Sequence, residues 1–356
     1  MSAFLEDLKA RNLPPVIPEG TVDWNDYRAK IIDLFAREEY GYLPPAPPKV
    51  NAETISSDKE AWAGKAEHRN VSLSFDTPGG KFAFPVDMVL PAKGDKCPLI
   101  VYISFSPYPC GRYGPIEEIV DMGYALAVMD YNSVSKDTND DFSSGLAAMY
   151  ERGGDDGSMW GKISMWAWAA SRVMDYALTL DKIDKDRIYC VGHSRLGKTA
   201  LWCAVQDERF AGAGVNNSGC SGMSVTRNKQ GERVADIVKT FPYWFCKNYH
   251  KYAGRESEMP FEQSMLAALM APRLLAASEA EKDIWADPNS AYMSLYEADK
   301  AYKLLGVPGL GGPAEFPKVG TRLSEGRIGY NLRTGTHYMS RDDWKFYIAF
   351  FDKHRS

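Results

Sequence analysis

The chain of 356 residues contains no stretch approaching the ~20 consecutive apolar residues that a membrane-crossing helix needs. Its opening, Met1-Ser2-Ala3-Phe4-Leu5-Glu6-Asp7, brings acids early and shows no apolar core of signal-peptide length. Positive charge is not in excess: 42 Lys and Arg against 47 Asp and Glu leave a formal net charge of −5, which argues against a general nucleic-acid binder. The six cysteines, at positions 97, 110, 190, 203, 220 and 246, include no Cys-x-x-Cys pair, and Cys190 and Cys203 lie inside apolar patterns. Buried free thiols are therefore expected in place of a disulfide framework. Internal repeats and low-complexity tracts are lacking as well. These absences lead to the expectation of a cytoplasmic protein with neither a membrane nor a nucleic-acid partner.

What is present is a composition 45% hydrophobic, enough for a large core. Residues Trp24 to Tyr40 form an amphipathic segment, followed by Leu43-Pro44-Pro45-Ala46-Pro47-Pro48; this predicts a helix stopped by prolines and leading into a linker. Val71 to Phe75 and Phe82 to Leu90 flank Thr77-Pro78-Gly79-Gly80, a hairpin signature. Beyond it, apolar runs (Leu99 to Ser104, Ala125 to Asp130, Ile188 to Gly192, Ala211 to Val215, Leu274 to Ala277) alternate with helix-length segments. Those are Trp160 to Leu180, Lys198 to Val205, Phe261 to Met270, Ser290 to Leu305 and Asp342 to Lys353. The alternation predicts an α/β fold: a mostly parallel central sheet, helices on both faces, and the N-terminal hairpin as an antiparallel edge.

One run combines these patterns with chemistry. In Ile188-Tyr189-Cys190-Val191-Gly192-His193-Ser194-Arg195-Leu196-Gly197-Lys198, a buried-strand pattern breaks at a serine and resumes as a helix. An α/β-hydrolase presents its nucleophile in this way, on a tight turn with the helix N-terminus aimed at the reacting oxygen. Here the second glycine comes one residue late, giving Gly-x-Ser-x-x-Gly. The domain expectation follows: residues 1–50 as a helix and proline-rich linker packed on the main body, and residues 51–356 as one α/β-hydrolase domain.

A serine nucleophile needs a base, and there are only five histidines. His337, in Arg333-Thr334-Gly335-Thr336-His337-Tyr338, follows an apolar run and precedes the last helix, where this architecture carries its base. His68, His193, His250 and His354 lie in less suitable contexts. The acid belongs between Ser194 and His337, after a strand. The segment after Ala277 offers Glu279, Glu281, Asp283 and Asp287, the last of which suits a helix cap before Pro288.

The elbow, the loop Asn216-Asn217-Ser218-Gly219-Cys220-Ser221-Gly222, the runs Phe241-Pro242-Tyr243-Trp244-Phe245 and Asp283-Ile284-Trp285, and Gly335-Thr336-His337 together resemble the glucuronoyl esterases, particularly their bacterial branch. The resemblance implies a metal-free, cofactor-free serine esterase cleaving 4-O-methyl-glucuronoyl esters, a small carbohydrate ester as its partner. It implies Ser194 as nucleophile, His337 as base, Asp283 as acid and Arg195 at the oxyanion. It further implies that Lys198 binds uronate hydroxyls and that Glu232 and Trp285 line the sugar pocket. Some relatives place the acid as a Glu where this chain has Asn217, which cannot ionise; Asp283 matches the alternative site. Two other functions fit the same residues less well: an acetyl esterase acting on acetylated sugars, and a non-catalytic sugar-binding protein, whose mark would be a lost nucleophile or base.

Overall fold

The computed structural model describes residues 2–20, 23–107, 113–152 and 156–355, so Cys110 lies outside the described residues. Its centre is a ten-stranded sheet: β1 (Asn51–Glu60), β2 (Ala66–Thr77), β3 (Gly80–Pro91), β4 (Cys97–Ser104), β5 (Ala125–Asp130), β6 (Ile183–His193), β7 (Gly212–Asn216), β8 (Leu274–Ala280), β9 (Arg322–Leu323) and β10 (Ile328–Arg333). The spatial order is β1-β2-β3-β5-β4-β6-β7-β8-β10-β9. From β5 to β10 every neighbouring pair is parallel, while β1 to β3 and the short β9 run antiparallel to their neighbours.

The parallel strands read as unbroken apolar runs because both of their faces are covered. On β4 the alternation is direct: Leu99, Val101 and Ile103 join one buried cluster, with the helices Lys162–Ala177 and Arg195–Gln206. Ile100 and Tyr102 join the other, with the helices Ile116–Asp121 and Arg341–Lys353. The same split places Cys190 on one face and Tyr189 and Val191 on the other. Cys97, Cys190, Cys203, Cys220 and Cys246 are all buried free thiols.

Two expectations need correction. The β2–β3 hairpin is in register from Ala66 opposite Pro91 to Thr77 opposite Gly80, but it is not the sheet edge, because β1 pairs outside it. Every residue of β1 is exposed, so its sequence carries no apolar face to announce a strand; Ile55 is 59% exposed. The segment expected as one helix over Trp24 to Tyr40 is an α-helix to Phe35 and then a π-helical turn, Ala36–Tyr40. Gly41 ends it, well before the prolines. Its φ is +85°, and a Cβ there would stand 2.2 Å from the Trp160 Cα.

The N-terminal residues lie against the sheet-bearing body. Phe4 meets Tyr292, Tyr296 and Phe316 edge-on, and the Arg11 Nη1 donates to Ser290 Oγ (2.7 Å) and to the Arg227 carbonyl (3.1 Å). Tyr40 is fully buried, stacked on Trp202 at 4.3 Å, with its hydroxyl donating to the Ser221 carbonyl. Among the described residues no helix is long and apolar enough to cross a membrane.

Candidate active site

The candidate residues come from the carboxyl ends of four adjacent parallel strands, where open α/β sheets bind their ligands. Ser194 follows β6, Asn217 follows β7, Asp283 follows β8 and His337 follows β10. Ser194 has φ 59° and ψ −129°, a conformation an L residue adopts only under constraint. Gly192 makes the turn possible, because a Cβ there would lie 2.0 Å from the Leu196 carbonyl oxygen. Gly197, the late glycine of the motif, lets the helix Arg195–Gln206 approach the loop after β7: its Cβ would stand 3.1 Å from Ser218 Cβ and 3.2 Å from the Asn216 carbonyl.

The loops after β8 and β10 continue the pairing of their strands. The Glu281 N–H donates to the Arg333 carbonyl (3.0 Å), and the Lys282 N–H to that of Gly335 (2.9 Å). This zipper sets Asp283 beside His337. His337 Nδ1 lies 2.6 Å from Asp283 Oδ2, and His337 Nε2 lies 2.9 Å from Ser194 Oγ. A serine, an imidazole and a carboxylate thus stand in one hydrogen-bonded line, the arrangement that activates a hydroxyl as a nucleophile.

Asp283 is buried, and burial pushes its carboxyl up; hydrogen bonds from His337, from Asn217 and from the Ala286 N–H outweigh this and hold it below the usual range. Asn217 Nδ2 donates to Asp283 Oδ2 at 2.7 Å. The residue standing where some relatives place their acid therefore serves here as a donor to the acid. The competing carboxylates are occupied differently. Asp287 caps the helix Pro288–Leu304, as its position before proline suggested; Glu281 receives the Thr334 hydroxyl at 2.8 Å; Glu279 is fully buried.

His193 also sits at the site, with its ring 4.6 Å from that of His337. Its Nδ1 bonds to Asn216 Oδ1 at 2.6 Å, and burial, reinforced by His337, pulls its pKa down to about 3. It is neutral at ordinary pH and puts no second cation beside the base. His68 is paired with Asp87 on the hairpin, and His250 and His354 bind the carbonyls of Pro242 and Ser324.

Arg195 begins the helix, so its backbone N–H is one of the first-turn amides that have no intrahelical acceptor. Its guanidinium binds Asp137 and lies 4.7 Å from the Trp244 ring, which is itself stacked on Phe241 at 3.8 Å. Two cavities open at Ser194. One, of about 260 Å³, is lined by Lys198, Asn217, Ser218, Glu232, Trp244 and Trp285. The other, of about 460 Å³, is lined by Tyr102, Ser104, Phe105, Ser106, Tyr113 and His193. Ser194, Arg195 and His337 border both.

In the smaller cavity Lys198 is buried, and its ammonium donates to the Ser218 carbonyl (2.6 Å) and to Glu232 Oε2 (3.3 Å). An ammonium has three N–H donors, so these contacts leave one for a ligand. Trp285 forms the rim and is 55% exposed. No sequence pattern marks Lys229, whose buried ammonium ties the Glu232 carbonyl (2.7 Å) to the Trp285 carbonyl (3.2 Å), or Asp137. Both act through loops, where side-chain type carries no periodic signal. Among the described residues no group of three or more His, Cys, Asp and Glu side chains could hold a metal ion.

The fold and this site define a serine hydrolase of the α/β type. A sequence model of the family described as "Glucuronyl esterase, fungi" matches residues 74–306. The carbohydrate esterase MZ0003 of an unknown prokaryotic organism is 31% identical over 96% of this chain and 88% of its own. The 4-O-methyl-glucuronoyl methylesterase 1 of Wolfiporia cocos is 30% identical over 85% of this chain and 71% of its own. The solved glucuronoyl esterase from Solibacter usitatus superposes with a TM-score of 0.86 at 31% identity, over 96% of this chain and 97% of that one. This chain belongs to the glucuronoyl esterase family, and it is a carboxylic ester hydrolase.

Proposed function

We propose that the chain hydrolyses esters of a glucuronic acid, with the uronoyl group in the Lys198 cavity and the alcohol toward the Tyr113 cavity. The observation that carries this reading is the hydrogen-bonded line Ser194–His337–Asp283 opening onto a cavity walled by Lys198 and Glu232. Those two side chains offer a donor and an acceptor to the hydroxyls of a sugar on the acyl side. The Wolfiporia relative, named for a 4-O-methyl-glucuronoyl methyl ester, supports the same substrate class.

In the proposed mechanism Ser194 Oγ attacks the ester carbon while His337 Nε2 takes its proton, and Asp283 stabilises the imidazolium. The Arg195 N–H and guanidinium meet the charge that develops on the carbonyl oxygen. His337 returns the proton to the departing alcohol. Water then attacks the acyl-enzyme, again through His337, and releases the uronate and Ser194.

The test is release of glucuronate from methyl glucuronate, followed in the parent chain and in Ser194→Ala. Losing the attacking hydroxyl removes the acyl-enzyme route, and kcat should fall by about 10⁵-fold or more with the melting temperature retained. A folded Ser194→Ala that keeps a tenth of the parent rate contradicts the mechanism, and a parent that leaves the ester intact contradicts the substrate.

A further inference from the structure

Asp137 lies outside the triad, in the loop after the short helix Tyr131–Val134 that follows β5, with its side chain only 7% exposed. Its Oδ2 receives the Arg195 Nη1–H and the Tyr131 hydroxyl (3.2 Å). Its Oδ1 receives the Trp244 indole N–H (2.8 Å) and the Tyr243 hydroxyl (3.1 Å). The backbone around it is also pinned. The buried Lys162 ammonium donates to the carbonyls of Lys136 and Thr138, each at 2.6 Å, and to Asp140 Oδ1 at 2.6 Å. One carboxylate therefore collects donors from two segments distant in sequence, at Arg195 and at Tyr243–Trp244, as well as from nearby Tyr131, and the peptide that bears it is clamped on both sides. Such convergence fixes the geometry of whatever the carboxylate holds, and the group among its partners that borders both cavities is Arg195.

The chemistry gives that pairing a purpose. The ester is neutral, the tetrahedral intermediate carries a transient oxyanion, and the product carries a lasting carboxylate at nearly the same place. A free guanidinium fork would bind the last of these bidentately, in the strongest geometry an arginine has. With one arm taken by Asp137 and the net charge of the pair cancelled, Arg195 can still direct an N–H at the developing oxyanion but lacks the charge to retain the product. We propose that Asp137 is a positioning residue that orients Arg195 toward the reacting carbonyl and keeps the uronate product from being trapped. This rests on the hydrolytic reading above.

The test compares the parent with Asp137→Asn, Asp137→Ser, Arg195→Ala and the double variant Asp137→Asn/Arg195→Ala. Two quantities are measured: kcat on methyl glucuronate, and calorimetric Kd values for free glucuronate and for neutral methyl glucoside. In Asp137→Asn, kcat should fall about tenfold or more, and glucuronate should bind about tenfold tighter because the unpaired guanidinium now meets its carboxylate, while the glucoside Kd stays unchanged. In the Arg195→Ala background, the Asp137 change should alter neither quantity by more than about twofold, since the effect passes through the arginine. Asp137→Ser removes the same charge with less bulk and should shift the glucuronate Kd in the same direction. The assignment is overturned if both Kd values move together, if neither moves, if the effect persists without Arg195, or if neither Asp137 variant folds. A parent that binds glucuronate but does not cleave its methyl ester counts against the hydrolytic reading, and the Kd comparison still decides the role of Asp137.

Discussion

The Lys198 side and the Tyr113 side of Ser194 are held by different forces. On the Lys198 side, beside the stacked rings of Phe241 and Trp244, the wall carries charged ties: Lys198 to Glu232 and Ser218, and Lys229 to the backbone of Glu232 and Trp285, with Arg195, shared by both sides, held by Asp137. On the Tyr113 side rings meet rings, with Phe105 and Tyr113 against a His193 that burial keeps neutral. A wall of fixed donors and acceptors discriminates strongly, because a ligand lacking the matching group leaves buried polar atoms unpaired. A wall of rings accepts many shapes and discriminates weakly. The acyl half of the ester should therefore be read strictly and the alcohol half loosely.

After the loss of Ser194 itself, the largest expected effect lies behind His337, which borders both sides. Asp283→Asn keeps the shape but no longer stabilises the His337 imidazolium, and kcat should fall roughly 10³- to 10⁴-fold on every ester, with the fold retained. A drop confined to glucuronate esters would place Asp283 in the recognition of the sugar and not in the chemistry. Next comes Lys198→Met, which removes the ammonium but keeps the bulk. It should lower kcat/KM for glucuronate esters about ten- to a hundred-fold and change a small acetyl ester by less than about threefold. Equal losses on both would show that Lys198 only supports Ser218 and Glu232.

These two residues also show how far the sequence could be read. Ser194 and His337 were legible because strand, turn and helix follow one another in order around them, and the parallel strands because both their faces are apolar. Asp283 was not singled out by pattern: four carboxylates follow β8, and only the resemblance to relatives distinguished one. The reason lies in the fold, since the zipper between the loops after β8 and β10 decides which carboxylate meets His337. Asp137 was invisible for a similar cause, because it reaches Arg195 and Trp244 across 58 and 107 residues of chain. β1 went unread because it is polar and exposed on both faces.

The ring-lined side makes its own pH prediction. His193 has a folded-state pKa near 3 against an ordinary value of 6.5, so between those values the unfolded chain binds a proton that the folded chain refuses. The contribution of His193 is therefore fully present above pH 6.5 and is lost as the pH falls toward about 3, by up to about 1.4 kcal/mol per pH unit, or tenfold in the folding constant. Denaturant unfolding across this window should show a shallower slope in His193→Gln; an unchanged slope would mean that His193 is protonated in the folded state. The smallest effect is expected from Phe105→Ala. It should lower kcat/KM for benzyl glucuronate about three- to tenfold and leave methyl glucuronate nearly unchanged, since only the larger alcohol reaches the ring. The same loss on both esters would show that Phe105 serves Arg195 and not the alcohol.

The central claim is that the strict side of the site reads the acyl group. It is tested most directly by kcat/KM of the parent chain on four esters: methyl and benzyl glucuronate, and methyl and benzyl acetate. Exchanging glucuronate for acetate should cost about a hundredfold or more whichever alcohol is attached, because the Lys198 and Glu232 contacts are lost, whereas exchanging benzyl for methyl should cost less than about tenfold. Acetates cleaved as fast as glucuronates, or an alcohol effect larger than the acyl effect, would contradict it.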